Sequence, residues 1–589
     1  LEPTANAKMV TKLLFRLLPI QILLASVGAV NGIVSSYFAS NFVGVRAMSA
    51  VGLFAPLNML AGSVSTILVG GSAILCGKYM GRSQPDRMQN VFSVNLVVSA
   101  LIAAVLTGTY LLLGLLDLTG FFTKDALVRP IFNRYLLGQA LGAAPLMLGN
   151  SFAAFLSIEN RQRRTIAASL IYIAVNVALN YLFVQVLHME ALGLALAASL
   201  GLWVFMGVQA GAFLSGETHL KLSVGRFDWA ECLEILRIGV PGAASNVYQT
   251  LRGLIVNRLI EAFVGSAGIS AFAASDSFLR IIWAIPIGML AVSRLMISVS
   301  VGEEDRRTLT DVMRVMFLRF VPLMYAIGAG IILLAQPLTQ IFFRDTAQPV
   351  YSMTAWGFRI LPLCMPLSVI YMHFVCYGQT AGKHGLVHLL SLLDGVVCVA
   401  GFTALLIRPL GMNSVYVANV LNGVVTTLVI IGFAWGKNRR FPRNMSELMV
   451  IPADFGAPEE QRMDLTIQTM DQVVDVARQV QSFCRERGID ERRSYLAGLA
   501  MEEMAGNIVD HGFHKDAKRH SVDVRVVHKD DDVILRLRDD CVPFDPAERQ
   551  KLTDGEDPLK NIGIRMVFRI ARDVQYRNLL GLNVLTIRI

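Results

Sequence analysis

For about three-quarters of its length the chain alternates long apolar runs with short polar breaks, and then the pattern changes. Twelve apolar runs lie near 16–41, 49–77, 90–116, 131–157, 165–187, 191–214, 236–263, 269–300, 314–341, 351–378, 385–407 and 412–436. Each approaches or exceeds the roughly 20 residues that carry a helix across a hydrocarbon core of about 30 Å. They predict twelve transmembrane helices. Past residue 459 the period becomes two: Val522, Val524 and Val526, then Val533, Leu535 and Leu537, predict half-buried antiparallel strands. That region reads as strand 461–467, helix 469–487, helix 492–511, strands 520–528 and 532–539, a loop, helix 563–572 and strands 573–577 and 582–589, which is an α/β sandwich. The expected division is a six-helix bundle over 1–214, a second over 215–436, a basic, proline-bearing linker over 437–458 and a soluble domain over 459–589.

Charge sharpens this boundary. Charged residues number 50 in the first 445 positions and 47 in the last 144, and the two parts net +14 and −5. With 54% hydrophobic residues the chain is neither disordered nor fibrous. The overall +9 does not point to a nucleic-acid partner, because the basic residues sit in short loops of the apolar part. There they set orientation: with the N-terminus inside, 20 Lys and Arg fall on inner segments and 5 on outer ones. Both termini are therefore expected in the cytoplasm, with the lipid bilayer of a prokaryotic inner membrane as surroundings. No cleavable signal peptide is expected. The 7 Cys are scattered without a CxxC pair, so no zinc or redox site is predicted.

The apolar part repeats itself. Pro19, Phe42-Val43-Gly44 and Ser49-Ala50 recur as Pro241, Phe263-Val264-Gly265 and Ser270-Ala271, at an offset of 221 to 222 residues. Six helices separate the copies, so the halves share one orientation, as in secondary transporters whose substrate site lies between the halves near the midplane. With Gly77-Lys78-Tyr79-Met80-Gly81-Arg82, Glu159-Asn160-Arg161 through Asn176, Asn180, Gly193 and Ala197, and Ile238-Gly239-Val240-Pro241, this part resembles the multidrug and toxic compound extrusion (MATE) family. The resemblance implies two six-helix bundles that rock about a small-molecule substrate and export it against a gradient of H⁺ or Na⁺.

Departures from that pattern direct attention to particular residues. Ser35 stands where the family often has an Asp, and Asn176-x-x-x-Asn180 where it often has Asn-x-x-x-Asp, so a charged Na⁺ ligand is missing from the first half. Three acids lie within spans: Glu261, near a helix end; Asp276, four residues before Arg280; and Asp394, in mid-span. An ionisable group at that depth costs roughly 2.5–3.5 kcal/mol to insert, which marks it as functional or paired. Asp394 and Asp276 are the coupling candidates, with Asn31, Asn176 and Asn180 as polar candidates in the first half. Arg252, which the repeat aligns with Asn31, and Arg280 are candidates for the substrate cavity, and Arg294 is expected to snorkel from its helix end. The related lipid-linked oligosaccharide flippases also line a cavity with Arg, so both cationic and anionic substrates stay open.

In the soluble domain Glu503 and Asn507 share one helix face. A strand leads into Asp539-Asp540-Cys541-Val542-Pro543-Phe544-Asp545-Pro546, and Lys560-Asn561-Ile562-Gly563 opens a helix whose free N–H groups can receive phosphate. In this order, and with the closing Tyr576…Gly581-Leu582-Asn583, the segments resemble the GHKL ATPases, and within them the anti-sigma-factor serine kinases and histidine-kinase-like ATPase domains. The resemblance implies ATP with Mg²⁺, Glu503 as catalytic base, Asn507 as the Mg²⁺ ligand, Asp539 as reader of adenine, and Lys560 and Gly563 at the phosphates. Cys541 replaces an expected Gly, and no phosphoacceptor His helix is recognisable. Three readings follow: an antiporter with a cytosolic nucleotide-binding regulatory domain, a membrane-tethered kinase or nucleotide sensor acting on an anti-anti-sigma-like protein, and a flippase for an anionic lipid-linked substrate.

Overall fold

The computed structural model describes residues 5–38, 43, 45–82, 84–121, 127–223, 227–343, 345–513, 520–529, 532–543, 545–546, 562–579 and 581–589. They form two compact units, Leu17–Gly302 with Val312–Val450, and Leu1–Arg16 with Glu303–Asp311 and Ile451–Ile589.

The larger unit is helical. In chain order its helices are α1 (Ala5–Phe38, beginning in the smaller unit), α2 (Val45–Gly81), α3 (Pro85–Leu115), α4 (Val128–Ala140), α5 (Ala143–Ile158), α6 (Gln162–Asn180), α7 (Glu190–Leu214), α8 (Trp229–Phe263) and α9 (Ser266–Gly302). Then come α10 (Arg306–Val315, also beginning in the smaller unit), α11 (Val321–Leu333), α12 (Ala335–Phe342), α13 (Pro349–Ile360), α14 (Cys364–Thr380), α15 (His384–Leu392), α16 (Cys398–Leu410) and α17 (Asn413–Asn438). Among the described residues ten helical stretches are long and apolar enough to cross a membrane, eleven if α4 and α5, bent by 43° at their junction, count as one. The remaining predicted run, 236–263, is helical as α8 but carries Arg252, Arg258 and Glu261. Proline lies inside the first two helices of each half: Pro19 and Pro56, then Pro241 and Pro286. Each removes a backbone N–H from its helix and favours a bend there.

Glycine sets how closely the halves approach. A Cβ on Gly71 would stand 2.2 Å from the Ile235 carbonyl oxygen, and one on Gly239 2.1 Å from that of Ile67, so α2 and α8 cross backbone against backbone. Farther along α2 the Tyr79 hydroxyl donates to Glu231 of α8 at 2.8 Å. The Gly77–Arg82 motif thus lies beside the crossing of the two halves.

In the smaller unit five strands, β1 (Arg462–Ile467), β2 (Val522–Lys529), β3 (Asp532–Asp539), β4 (Asp573–Leu579) and β5 (Leu582–Arg588), form an antiparallel sheet of order β1-β2-β3-β5-β4. Three helices, α18 (Met470–Glu486), α19 (Glu491–Asn507) and α20 (Ile562–Ile570), supply a core in which Val476, Val480, Met501, Met504 and Val567 join Val522, Val524, Val526, Leu535 and Leu537. The alternation predicts half-buried strands, and here the structure differs. Asp523, Arg525, Arg536 and Arg538, the intervening polar residues of β2 and β3, are 4%, 7%, 7% and 1% exposed.

The Glu303–Asp311 segment supplies the counter-charges. Asp305, fully buried, bonds Arg525 Nη1 at 2.5 Å and Arg536 Nη2 at 2.6 Å, with Arg538 Nη2 at 4.0 Å. Glu303 pairs with Arg536 and, at 3.3 Å, with Arg538. Asp305 also caps α10, accepting from Thr308 N at 2.9 Å. Burial pushes its carboxyl up, but Arg525, Arg536 and Arg538 more than reverse this and hold it well below the usual carboxylate range.

Candidate functional site

Asp490 starts α19 by accepting from Arg493 N at 2.9 Å, and the helix then carries Glu503 and Asn507 on one face, both partly exposed. The first turn of α20 comes up against Glu503: a Cβ on Gly563 would lie 1.9 Å from Glu503 Oε2. A side chain there would push the Glu503 carboxylate aside; with glycine in place the carboxylate faces the start of a helix. Lys560 lies outside the described residues.

Asp539 closes β3, 4% exposed, and is positioned by its neighbours. Its Oδ1 accepts from Cys541 N at 2.9 Å and from Asn583 Nδ2 at 2.8 Å; Asn583 is its cross-strand partner on β5. Asn583 is itself fixed, its Oδ1 accepting from the Tyr576 hydroxyl at 2.7 Å and Asn578 Nδ2 at 2.9 Å. Burial raises the Asp539 carboxyl above its ordinary range, and the Asn583 and Cys541 donors offset this only in part. The Cys541 thiol bonds the same carboxylate and lies 3.1 Å from where a Cβ on Gly512 would stand. Beside it Asp540 holds Lys12 Nζ at 2.5 Å and His520 Nδ1 at 2.8 Å. Burial pushes Asp540 up, and those two partners bring it below its ordinary value.

Two polar regions of the helical unit bear on transport. A cavity of about 1000 Å³ is lined from α1, α2, α3, α4, α5, α6, α7 and α9; Gln21, Asn58, Tyr110, Asn150, Thr165 and Arg294 carry its polarity. Arg294 does not occupy the helix-end position the sequence predicts for it: it faces this cavity from within α9, eight residues before Gly302. Asn176 and Asn180 are buried and bond each other, Asn180 Nδ2 to Asn176 Oδ1 at 2.8 Å, and neither lines the cavity. In the second half Asp394 sits on a π turn, Leu393–Val397, where Oδ1 accepts from Asn422 Nδ2 at 2.8 Å and the main-chain oxygen accepts from Arg252 Nη1 at 3.3 Å. The Tyr371 hydroxyl also bonds the Asp394 carboxylate. Asp276 is half-buried on α9, whereas the side chains of Asn31 and Arg280 lie outside the described residues.

Comparison with known proteins fits both halves of this description. Residues 24–182 match MatE and residues 467–589 match the histidine kinase-like ATPase domain. The chain carries a MatE domain and, after it, a histidine kinase-like ATPase domain. A probable multidrug resistance protein, NorM, from Bacillus subtilis (strain 168) is 25% identical over 224 residues, a match spanning 36% of this chain and 48% of that protein, so about half the length of this relative is matched. A MATE protein crystallised in complex with MaL6 superposes with a TM-score of 0.67 at 20% identity, covering 76% of this chain and 99% of that one. A MOP superfamily transporter from Pyrococcus furiosus Vc1 gives 0.66 at 20% identity with the same coverage. These likenesses establish the fold of the helical unit.

The ATPase domain brings Glu503 and Gly563 into contact and places Asp539 in a hydrogen-bonded cradle. Asn507 stands one turn beyond Glu503. Sequence reasoning gave no role to Asn583 and Tyr576, although both stand in the closing segment that carries the resemblance. The signal was available in the register, which sets Asn583 opposite Asp539. In the MatE domain the missed residues are Tyr110 and Thr165, ordinary polar positions in sequence whose hydroxyls are buried without a hydrogen-bond partner at the cavity wall.

Proposed function

We propose that the protein is a secondary transporter of small organic ions in a prokaryotic inner membrane, with cytoplasmic termini, and that its ATPase domain binds ATP with Mg²⁺ and regulates transport. Support for the transport reading comes chiefly from the 1000 Å³ cavity inside a MATE-like fold. The Pyrococcus furiosus relative is described by a reversed polarity of its binding pocket that suggests a different function, which argues against taking a drug-cation substrate from fold alone.

Asp394 is the coupling group of this reading. It is an intramembrane carboxylate held by Asn422 and Tyr371, beside Arg252, and protonation of its oxygen would loosen both bonds. Gradient-driven uptake into proteoliposomes should fall at least about tenfold in Asp394→Asn while substrate binding persists, and it should follow a pH gradient and ignore Na⁺. Full uptake by the double variant Asp276→Asn, Asp394→Asn would remove both coupling candidates.

For the ATPase domain the residues fit the group they would hold. Glu503 at the opening of α20, the Asn507 amide oxygen and the buried Asp539 offer a carboxylate, a neutral oxygen donor and an adenine-amine acceptor. Mg²⁺ bound with a nucleotide takes few protein ligands, and Asn507 would hold it together with phosphate oxygens. That ion would neutralise phosphate charge. Glu503 would take a proton from an attacking water or from a serine hydroxyl of an anti-anti-sigma-like partner. The regulatory part of the proposal rests on Glu303–Asp311, which packs in the smaller unit yet is continuous in sequence with α9 and α10. Transport measured with and without ATP on the membrane face that carries the ATPase domain tests it; equal rates would reject regulation.

A further inference from the structure

We infer that the cavity of the helical unit takes an amphipathic organic anion and is not built for a cationic drug. This inference rests on the transport reading and names the substrate class of that cavity. Three observations support it.

The first is charge. Among the described residues lining the cavity Arg294 is the one charged side chain, and arginine cannot be deprotonated at any working pH. The sequence holds three acids within the spans, Glu261, Asp276 and Asp394, and none of them lines the cavity. A cationic ligand would therefore enter a space whose described wall offers a fixed positive charge and no carboxylate, which is repulsive. An anion would supply the counter-charge that the wall lacks.

The second is hydrogen bonding. Arg294 Nε, the Tyr110 hydroxyl and the Thr165 hydroxyl are buried at the cavity without hydrogen-bond partners, and Tyr110 and Thr165 are 3% and 4% exposed. Leaving such groups unsatisfied is costly; Arg294 Nε can only donate, whereas the two hydroxyls can donate to an anionic oxygen once the side chains turn toward it. Arg294 is already steadied by a bond to the Cys376 thiol, so it is oriented before the ligand arrives.

The third is the remainder of the wall. Phe54, Tyr135, Tyr172 and Phe205 present aromatic surface around about 1000 Å³, the upper end of the volume that holds a drug-sized molecule. The ligand class is then an acidic headgroup, a carboxylate, sulfonate or phosphate, on an aromatic or aliphatic body.

The test uses the full chain purified in a neutral detergent, with fluorescein as anionic probe and ethidium as cationic probe, followed by fluorescence polarisation with unlabelled competitor. Fluorescein should bind, and ethidium should not displace it. Arg294→Gln should weaken fluorescein about tenfold or more, Arg294→Lys should recover most of that loss, and Tyr110→Phe, which deletes only a hydroxyl, should weaken it roughly threefold. Should Arg294→Gln fail to give folded protein, the Lys and Phe variants still decide. Ethidium binding that displaces fluorescein, absence of fluorescein binding, or unchanged fluorescein affinity in folded Arg294→Gln would overturn the inference. Uptake into proteoliposomes separates it from the transport reading. Fluorescein that is bound but not carried supports the anion site and rejects transport, whereas carried ethidium with unbound fluorescein rejects the anion site and supports transport.

Discussion

Replacing Asp305 with Asn is expected to loosen β2 and β3 of the ATPase domain by about 3–5 kcal/mol, the range seen when one partner of a buried ion cluster is removed. The reason is arithmetic of charge. Arg525, Arg536 and Arg538 are all nearly buried, and Asp305 bonds two of them directly while standing near the third. Without it Arg538 keeps Glu303 at 3.3 Å and the Thr308 hydroxyl at 3.2 Å, neither of which replaces the lost charge in full, while Arg525 keeps Asp464. Amide exchange in Val522–Lys529 and Asp532–Asp539 should accelerate by roughly two to three orders of magnitude in Asp305→Asn, read by mass spectrometry on the full chain. The sign with pH follows from the lowered carboxyl of Asp305. Its contribution is complete above the ordinary carboxylate value of about 4 and is lost only as pH falls through the lower native value, so protection should be flat from pH 5 to 8. Exchange in Asp305→Asn equal to that of the parent would show that the cluster carries no stability.

The sequence disclosed one face of the sheet and concealed the other, and the reason is range. Period-two alternation located the apolar positions of β2 and β3, because burial against α18, α19 and α20 demands them. The charged positions between them look like a solvated face. Their partner lies 231 residues earlier, as for Arg536 and Asp305, in a short polar break that local pattern assigns to a loop. Glu503 and Asn507 were legible because one helical turn relates them, whereas the contact of Gly563 with Glu503 depends on how two helices pack. In the helical unit the repeat of Pro19 and Pro241 exposed the two halves. Arg294 was read as reaching out from its helix end, whereas the packing of α9 against the first-half helices sets it in the cavity wall, which a local pattern does not disclose. Asp394 was found by its chemistry alone, but Asn422 and Tyr371, which hold it, come from other helices.

The remaining large effect is expected at Asp539, since a single buried carboxylate is the adenine-reading group of the proposed nucleotide site. Oδ1 is occupied by the N–H of Cys541 and by Asn583, so the carboxylate is held at a fixed angle at the end of β3. Asp539→Asn replaces an acceptor with an amide that can present N–H toward an adenine amine, and loss of one charge-assisted hydrogen bond at a buried site should weaken ATP roughly 10- to 100-fold. Because burial raises the Asp539 carboxyl, ATP affinity of the parent should be constant at higher pH and decline as pH falls through that raised value, earlier than an ordinary carboxylate would require. In Asp539→Asn this decline should vanish. Asn583→Ala keeps the charge and removes the brace, so it should weaken ATP by a smaller factor, about threefold to tenfold, while preserving the pH dependence. Guanine nucleotides should gain relative to ATP in Asp539→Asn, because the amide can donate to a carbonyl where the carboxylate could only accept. Isothermal calorimetry on the full chain with ATP and Mg²⁺ reads all of these. Identical affinities in the parent, Asp539→Asn and Asn583→Ala would mean that Asp539 does not touch the base, and that the cradle built from Asn583 and Tyr576 serves the sheet alone.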